Sequence, residues 1–180
     1  MLKLAGLTCF LALTAVCQPV ATVSQSLAPF IATPEDVVER MLALANVTGD
    51  DVVYDLGCGD GRIPIAAAKK YGARGVGLDT NAALISLART HAAAAGVDRL
   101  VDFRVEDVLK ADVSPATVVT LYLLSSSNER LRPILMRQLK PGARIVSHAF
   151  SMGRDWPADK VDQFVSARGD EVTLYLWTIK

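Results

Sequence analysis

Apolar positions recur at helical spacing in the segment that begins at Thr33-Pro34: Val37, Val38, Met41, Leu42 and Leu44 form one stripe that runs to about Ala45. The pattern then changes to short apolar runs, at Val52–Leu56, Gly75–Asp79, Leu100–Val105, Ala116–Leu124 and Arg144–Phe150, which read as strands. Between them lie helical stretches at Ile63–Tyr71, Asn81–Ala95 and Glu129–Leu139, the last accommodating Pro133 only if that residue falls near its first turn. Ala116–Leu124 is almost unbroken in its apolarity, as a central parallel strand buried on both faces should be. Lys160–Val165 and Glu171–Thr178 complete the chain as an antiparallel pair joined through Arg168-Gly169. Strands alternating with helices predict an α/β fold, a doubly wound, Rossmann-like and mostly parallel sheet, here with a C-terminal antiparallel strand pair.

Three signals mark the element ends. Thr33 supplies a capping hydroxyl, Pro34 the first turn, and Glu35 and Asp36 the acids that suit the positive end of a helix dipole. Gly72 and Gly96 stop the second and third helices. Asn46–Asp50 form the turn into the first strand, and Ser125–Asn128 a loop beyond the fourth.

The first strand runs straight into Gly57-x-Gly59-x-Gly61, a bend that brings bare backbone against a ligand. A dinucleotide fingerprint would place its third glycine at position 62, which is Arg62, and the Gly-Lys-Ser/Thr of a phosphate loop is absent. Asp55 and Asp60 flank the bend, so a pyrophosphate would meet two carboxylates while a cation would be welcome. S-adenosylmethionine (SAM), with a sulfonium and an ammonium, satisfies that charge pattern, and its one carboxylate suits a helix N-terminus. Asp79, at the end of the second strand, is placed either to take both hydroxyls of a ribose or simply to cap the helix near Asn81.

Asp55-Leu-Gly-Cys-Gly-Asp-Gly61 resembles the first motif of class I SAM-dependent methyltransferases, and Asp79 their acid after strand two. The segments Pro29-Phe30, Thr33-Pro34, Val37-Val38 and Met41-Leu42, with Tyr54–Ile63, Leu139–Ser147 and Phe150, resemble the ATP synthase c-subunit lysine methyltransferase family and its bacterial relatives. The likeness covers about residues 29 to 178. It implies a SAM-binding site at Asp55, Gly57, Gly59, Gly61, Asp79 and Asp107, with Asp107 at the adenine amino group, although a loop acid capping the turn before Val113 is the other reading of Asp107. It implies that the helix before the first motif helps close that site, and it gives the activity as methyl transfer to a protein lysine. A small-molecule N- or O-methyltransferase and a SAM-binding protein without catalysis are the alternatives. No catalytic residue is legible and no metal is expected.

The 180 residues, half of them hydrophobic by count (51%) and 21% charged, suit one globular domain over 29–180. Formal net charge is zero with no basic block, which argues against nucleic acid as the main partner and leaves a protein substrate, membrane-associated in the family it resembles. Residues 1–28 differ. Lys3 is the sole charge before Glu35, and Leu4–Cys17 is a fourteen-residue apolar run, the length of a signal-peptide core and short of the roughly 20 residues that cross a bilayer. The segment predicts export or anchoring at a membrane, the alternative being a cytoplasmic protein with a misassigned start. His91 reads as a solvent-facing helix residue and His148 as a satisfied core or edge histidine.

Overall fold

The computed structural model describes Leu27 and residues 30–180. The predicted signal-like segment, residues 1–28, lies outside them apart from Leu27. Eleven elements follow in order: α1 (Glu35–Leu44), β1 (Val52–Leu56), α2 (Arg62–Tyr71), β2 (Arg74–Asp79), α3 (Ala82–Ala94), β3 (Val101–Val105), β4 (Val118–Leu121), α4 (Ser125–Gln138), β5 (Arg144–His148), β6 (Lys160–Val165) and β7 (Glu171–Thr178).

The strands form one seven-stranded sheet in the order β3-β2-β1-β4-β5-β7-β6. The first five are mutually parallel, and β7 runs antiparallel to both β5 and β6. Alternation along each strand sorts the core into two faces. Val53, Val118, Val146 and Leu174 meet α1 and α2 on one side, through Val37, Met41, Ile63 and Ala67. Tyr54, Leu56, Val119, Leu121, Ile145 and Trp177 meet Leu131 and Leu135 of α4 on the other. Helices therefore cover both faces, and the sheet reverses its order between β1 and β4. In such sheets ligands bind beyond the strand carboxyl ends at that reversal.

Local chemistry explains most element ends, with two departures from the predicted ones. α1 begins after Pro34 with no side-chain cap, and the Thr33 hydroxyl plays no capping part. Its carbonyl instead accepts a hydrogen bond from Arg62 Nη1 at 2.7 Å. α4 starts at Ser125, so Ser125–Asn128 is its first turn and not a loop, and Pro133 lies in the helix interior. Pro133 has no N–H to offer the Glu129 carbonyl, so the helical ladder is interrupted there. β4 is correspondingly shorter than the apolar run 116–124. The base of β1 is fixed by Asp51, whose carboxylate accepts from the Thr117 hydroxyl at 2.7 Å and the Thr48 N–H at 2.8 Å and pairs with Arg144. Among the described residues no helix is long and apolar enough to cross a membrane.

Candidate active site

β1 carries Asp55 to the sheet's carboxyl edge, and the glycine bend follows. The N–H groups of Gly57 and Cys58 both donate to the Leu78 carbonyl, at 2.8 and 3.0 Å, so the bend hangs from the end of β2. Gly57 (φ 88°) and Gly61 (φ 79°) adopt left-handed backbone. A Cβ at Gly57 would come within 2.9 Å of Leu123 Cδ2, and one at Gly61 within 2.6 Å of the Phe103 ring. Both positions thus need glycine for conformation and for space. Gly59 lies beneath the ring of Phe30, which arrives from the segment before α1.

Around the bend stand the acids. Asp55 is buried and sits opposite Thr120 in the β1–β4 register, whose hydroxyl donates to Asp55 Oδ1 at 2.8 Å. Burial pushes its carboxyl up to about 7 despite that hydrogen bond, and the neighbouring charges of Asp79 and Asp60 push the same way. Asp79 uses one oxygen to accept from Gly59 N–H (3.0 Å) and the other from Asn81 N–H (2.8 Å). It ties the bend to the start of α3, while Asn81 itself caps that helix. Asp60 departs from the expected picture of a free anion. Arg62 Nε and Nη2 donate to its two oxygens at 2.9 and 2.6 Å, and although burial alone would raise its carboxyl, this pairing holds it below the usual range. The carboxyls left without a cationic partner at the bend are therefore Asp55 and Asp79. Cys58 is a buried free thiol whose ionisation is pushed far up, first by burial and then by Asp55, so it is not a nucleophile here.

A cavity of about 360 Å³ opens at this point, lined by Phe30 and Thr33 ahead of α1, by Asp55, Gly57, Asp60 and Arg62, by Asp79, and by Tyr122 and Leu123 beyond β4. Its polar lining is rich in acids, and its one lining arginine is already engaged by Asp60, so the donor set suits a cationic ligand. Asp107 is not in the lining, though its neighbour Val108 is. One carboxyl oxygen of Asp107 accepts from Leu109 N–H at 3.0 Å, and Lys110 Nζ stands 3.7 Å from the other.

At the ends of β4 and β5 the structure joins His148 and Phe150, which the sequence did not announce, to Tyr122, which begins the segment 122–128 that the sequence places near the transferred methyl. Tyr122 lines the cavity and packs against His148 at a tilt of 30°, with ring centroids 4.0 Å apart, and Phe150 lies 6.4 Å from Tyr122. His148 is buried as expected, but it is not satisfied: its Nδ1 has no hydrogen-bond partner. Burial draws its pKa down to about 4. Asn128, wholly buried, donates to Ser147 Oγ at 3.1 Å and to the Phe150 carbonyl at 3.0 Å. His91 is exposed, as expected, with Nδ1 3.2 Å from the Asp60 carbonyl oxygen.

A doubly wound sheet, a glycine bend after β1 and acids at the first two strand ends define a class I methyltransferase. Residues 55–160, more than half of the chain, match the model of the ANTKMT methyltransferase domain. The chain belongs to that family. It is 43% identical to a protein-lysine N-methyltransferase of Saccharolobus islandicus over 152 residues, which is 84% of this chain and 93% of that protein. It is 31% identical to the human ATP synthase c-subunit lysine N-methyltransferase, over 74% of this chain but only 56% of the human protein, so it spans little more than half of that relative. Among solved structures, an RNA methyltransferase from Salinibacter ruber in complex with S-adenosylhomocysteine superposes with a TM-score of 0.77 at 54% identity, covering 83% of this chain and 94% of the other.

Proposed function

We propose that the protein is a SAM-dependent methyltransferase whose acceptor is a lysine side chain of another protein. The observation that carries the acceptor class is the 43% identity to a protein-lysine N-methyltransferase across nearly the whole of both chains. The donor is supported by the acid-lined cavity and by the S-adenosylhomocysteine bound in the Salinibacter relative. SAM supplies an activated methyl on a sulfonium, so the chain's own task is to align the acceptor and exclude water.

Each site residue then has a part. Gly57, Gly59 and Gly61 let the backbone approach the donor. Asp55, which ionises readily only when a cation is near, balances the donor's positive charge. Asp79 takes the ribose hydroxyls while retaining its hold on Gly59. Asp107, one residue before the cavity-lining Val108, accepts from the adenine amino group with the oxygen that Leu109 does not use. Phe30 and Thr33, drawn down by Arg62, cover the bend. A lysine must also lose a proton, since its ordinary pKa is about 10.4, and a desolvated approach past Tyr122 and Leu123 favours the neutral amine.

The 54% identity to a chain described as an RNA methyltransferase favours a second reading, RNA as acceptor, while zero net charge weighs against it. The apolar segment Leu4–Cys17 supports a membrane-proximal protein substrate, with residues 1–28 holding the domain at a membrane. Tritiated SAM added to membranes, cytosol and total RNA from a deletion strain tests these together, with the Asp55→Ala protein as control. Label on a protein band that survives ribonuclease is expected. Label on RNA alone, or only in a low-mass extract, overturns the protein-lysine reading.

A further inference from the structure

β5 does not fade out at its carboxyl end; it is bent sharply. Ala149 has φ 63°, left-handed backbone in a residue that carries a Cβ, and Phe150 N–H donates to the His148 carbonyl at 2.8 Å across it. Such three-residue turns with positive φ are rare and strained, and persist where the surroundings over-determine them. The surroundings here are the buried Asn128 amide and the Ser147 hydroxyl, both donating to the Phe150 carbonyl, the latter at 2.6 Å. The product of the strain is the placement of His148 and Phe150 against Tyr122, which lines the donor cavity. A phenylalanine at 148 would pack equally well against Tyr122 and leave no nitrogen unpaired. The buried, partnerless Nδ1 therefore stands as a cost to the fold with no structural return.

We infer that Tyr122, His148 and Phe150 form the subsite for the acceptor amine, in which the aromatic faces flank the lysine chain and the unpaired nitrogen of His148 accepts a hydrogen bond from the amine N–H. The inference rests on the lysine reading above and adds the residue that orients the nucleophile. A neutral primary amine has two N–H donors and one lone pair, so fixing one N–H on His148 leaves the lone pair to be aimed at the methyl. In the transfer, that lone pair becomes the new C–N bond as the C–S bond breaks, its electrons leaving the sulfur a neutral thioether. The amine's first proton has gone to water beforehand. His148 is not its destination: a ring whose burial holds its pKa at about 4 stays neutral beside an amine of about 10.4. Neutrality also keeps a second positive charge away from the cationic donor.

A dimethylated lysine has no N–H when neutral, so His148 can do nothing for its methylation. This separates anchoring from packing. Poly-L-lysine, unmodified and reductively dimethylated, serves as acceptor for the wild type and His148→Phe, with SAM affinity measured by calorimetry. His148→Phe is expected to bind SAM as the wild type does and to melt no lower. It should lose about ten-fold in transfer rate on the unmodified polymer, the worth of one hydrogen bond, and nothing on the dimethylated one. His148→Gln, which restores an acceptor oxygen, should recover part of the loss, and comparison of Gln with Leu at 148 replaces the Phe measurement if that variant does not fold. Equal loss on both polymers, no loss on either, no recovery with Gln, or a wild type that binds SAM and methylates neither polymer overturns the inference. A wild type that fails to bind SAM refutes the underlying methyltransferase reading instead.

Discussion

Asp55 makes the most exposed prediction of the proposed function, because the same burial that suits it to a cation should penalise the empty protein. Its carboxyl ionises at about 7 in the folded chain against a reference of 3.8. Between those values the folded state holds a proton that the unfolded state has released. Stability from this group is therefore fully present below 3.8 and is lost as pH rises through 7. At about 1.4 kcal/mol per pH unit across the interval, the loss is on the order of 4 kcal/mol. Asp55→Asn removes the ionisation and keeps an oxygen to accept from Thr120. About 1.6 kcal/mol of that loss has already accrued at pH 5, so urea denaturation of both proteins at pH 5 and pH 8 should show the stability difference shifting in favour of the variant by about 2.7 kcal/mol. The variant should at the same time lose SAM affinity. A wild type whose stability relative to Asp55→Asn is flat from pH 5 to 8 would mean that the carboxyl is ionised throughout, and the argument that burial penalises its charge in the empty protein would fail.

Three further outcomes follow from named contacts. Asp79→Ala should weaken SAM binding by roughly 1–3 kcal/mol, the usual loss for an unpaired buried contact, and should also lower the melting point of the empty protein because Gly59 and Asn81 lose their acceptor; unchanged calorimetric affinity would remove Asp79 from the ribose. Arg62→Gln should release the Thr33 carbonyl and speed proteolytic cleavage within residues 30–34 of the native protein, seen by mass spectrometry of timed digests. Asp51→Asn should cost about 1–3 kcal/mol at pH 7 by replacing the charged partner of the partly exposed Arg144 with a neutral one. Although burial acts to raise it, the Asp51 carboxyl is held below its reference by Thr117, Thr48 and Arg144, so this stability is present above 3.8 and lost as pH falls further, and the difference between the two proteins should shrink in acid.

The elements that build the donor cavity were legible because their physics is local. A parallel strand buried on both faces must be an apolar run, as β1 is, and a bend with positive φ against packed side chains must be glycine, as at Gly57 and Gly61. The acceptor side was legible only as a place, residues 122–128 beyond the fourth strand, because the rest of its logic is tertiary. Ser125–Asn128 has loop composition, yet it folds as a helical turn whose Ser127 and Asn128 are buried, the amide being used to hold β5. The apolar run 116–124 overstated β4, since Leu123 is apolar for the cavity and for contact with Gly57 rather than for the sheet. A lone histidine such as His148 has no spacing to betray it; the only available signal was its position two residues before Phe150 at a strand end. Nor could the sequence show that Arg62, which rules out a dinucleotide fingerprint, also neutralises Asp60.

The proline within α4 divides that helix into two parts with separate duties. Leu131 and Leu135 weld its centre to the sheet, whereas the turn ahead of Pro133 is moored by the Asn128 amide to the far end of β5. With the ladder broken at the Glu129 carbonyl, the opening turn is held by its side-chain bonds to Leu27 and to the end of β5 as much as by the helix behind it. Substitutions at its exposed positions Ser125, Ser126 and Glu129 should therefore leave the melting behaviour of the domain untouched, whereas a change at the buried Asn128 should not.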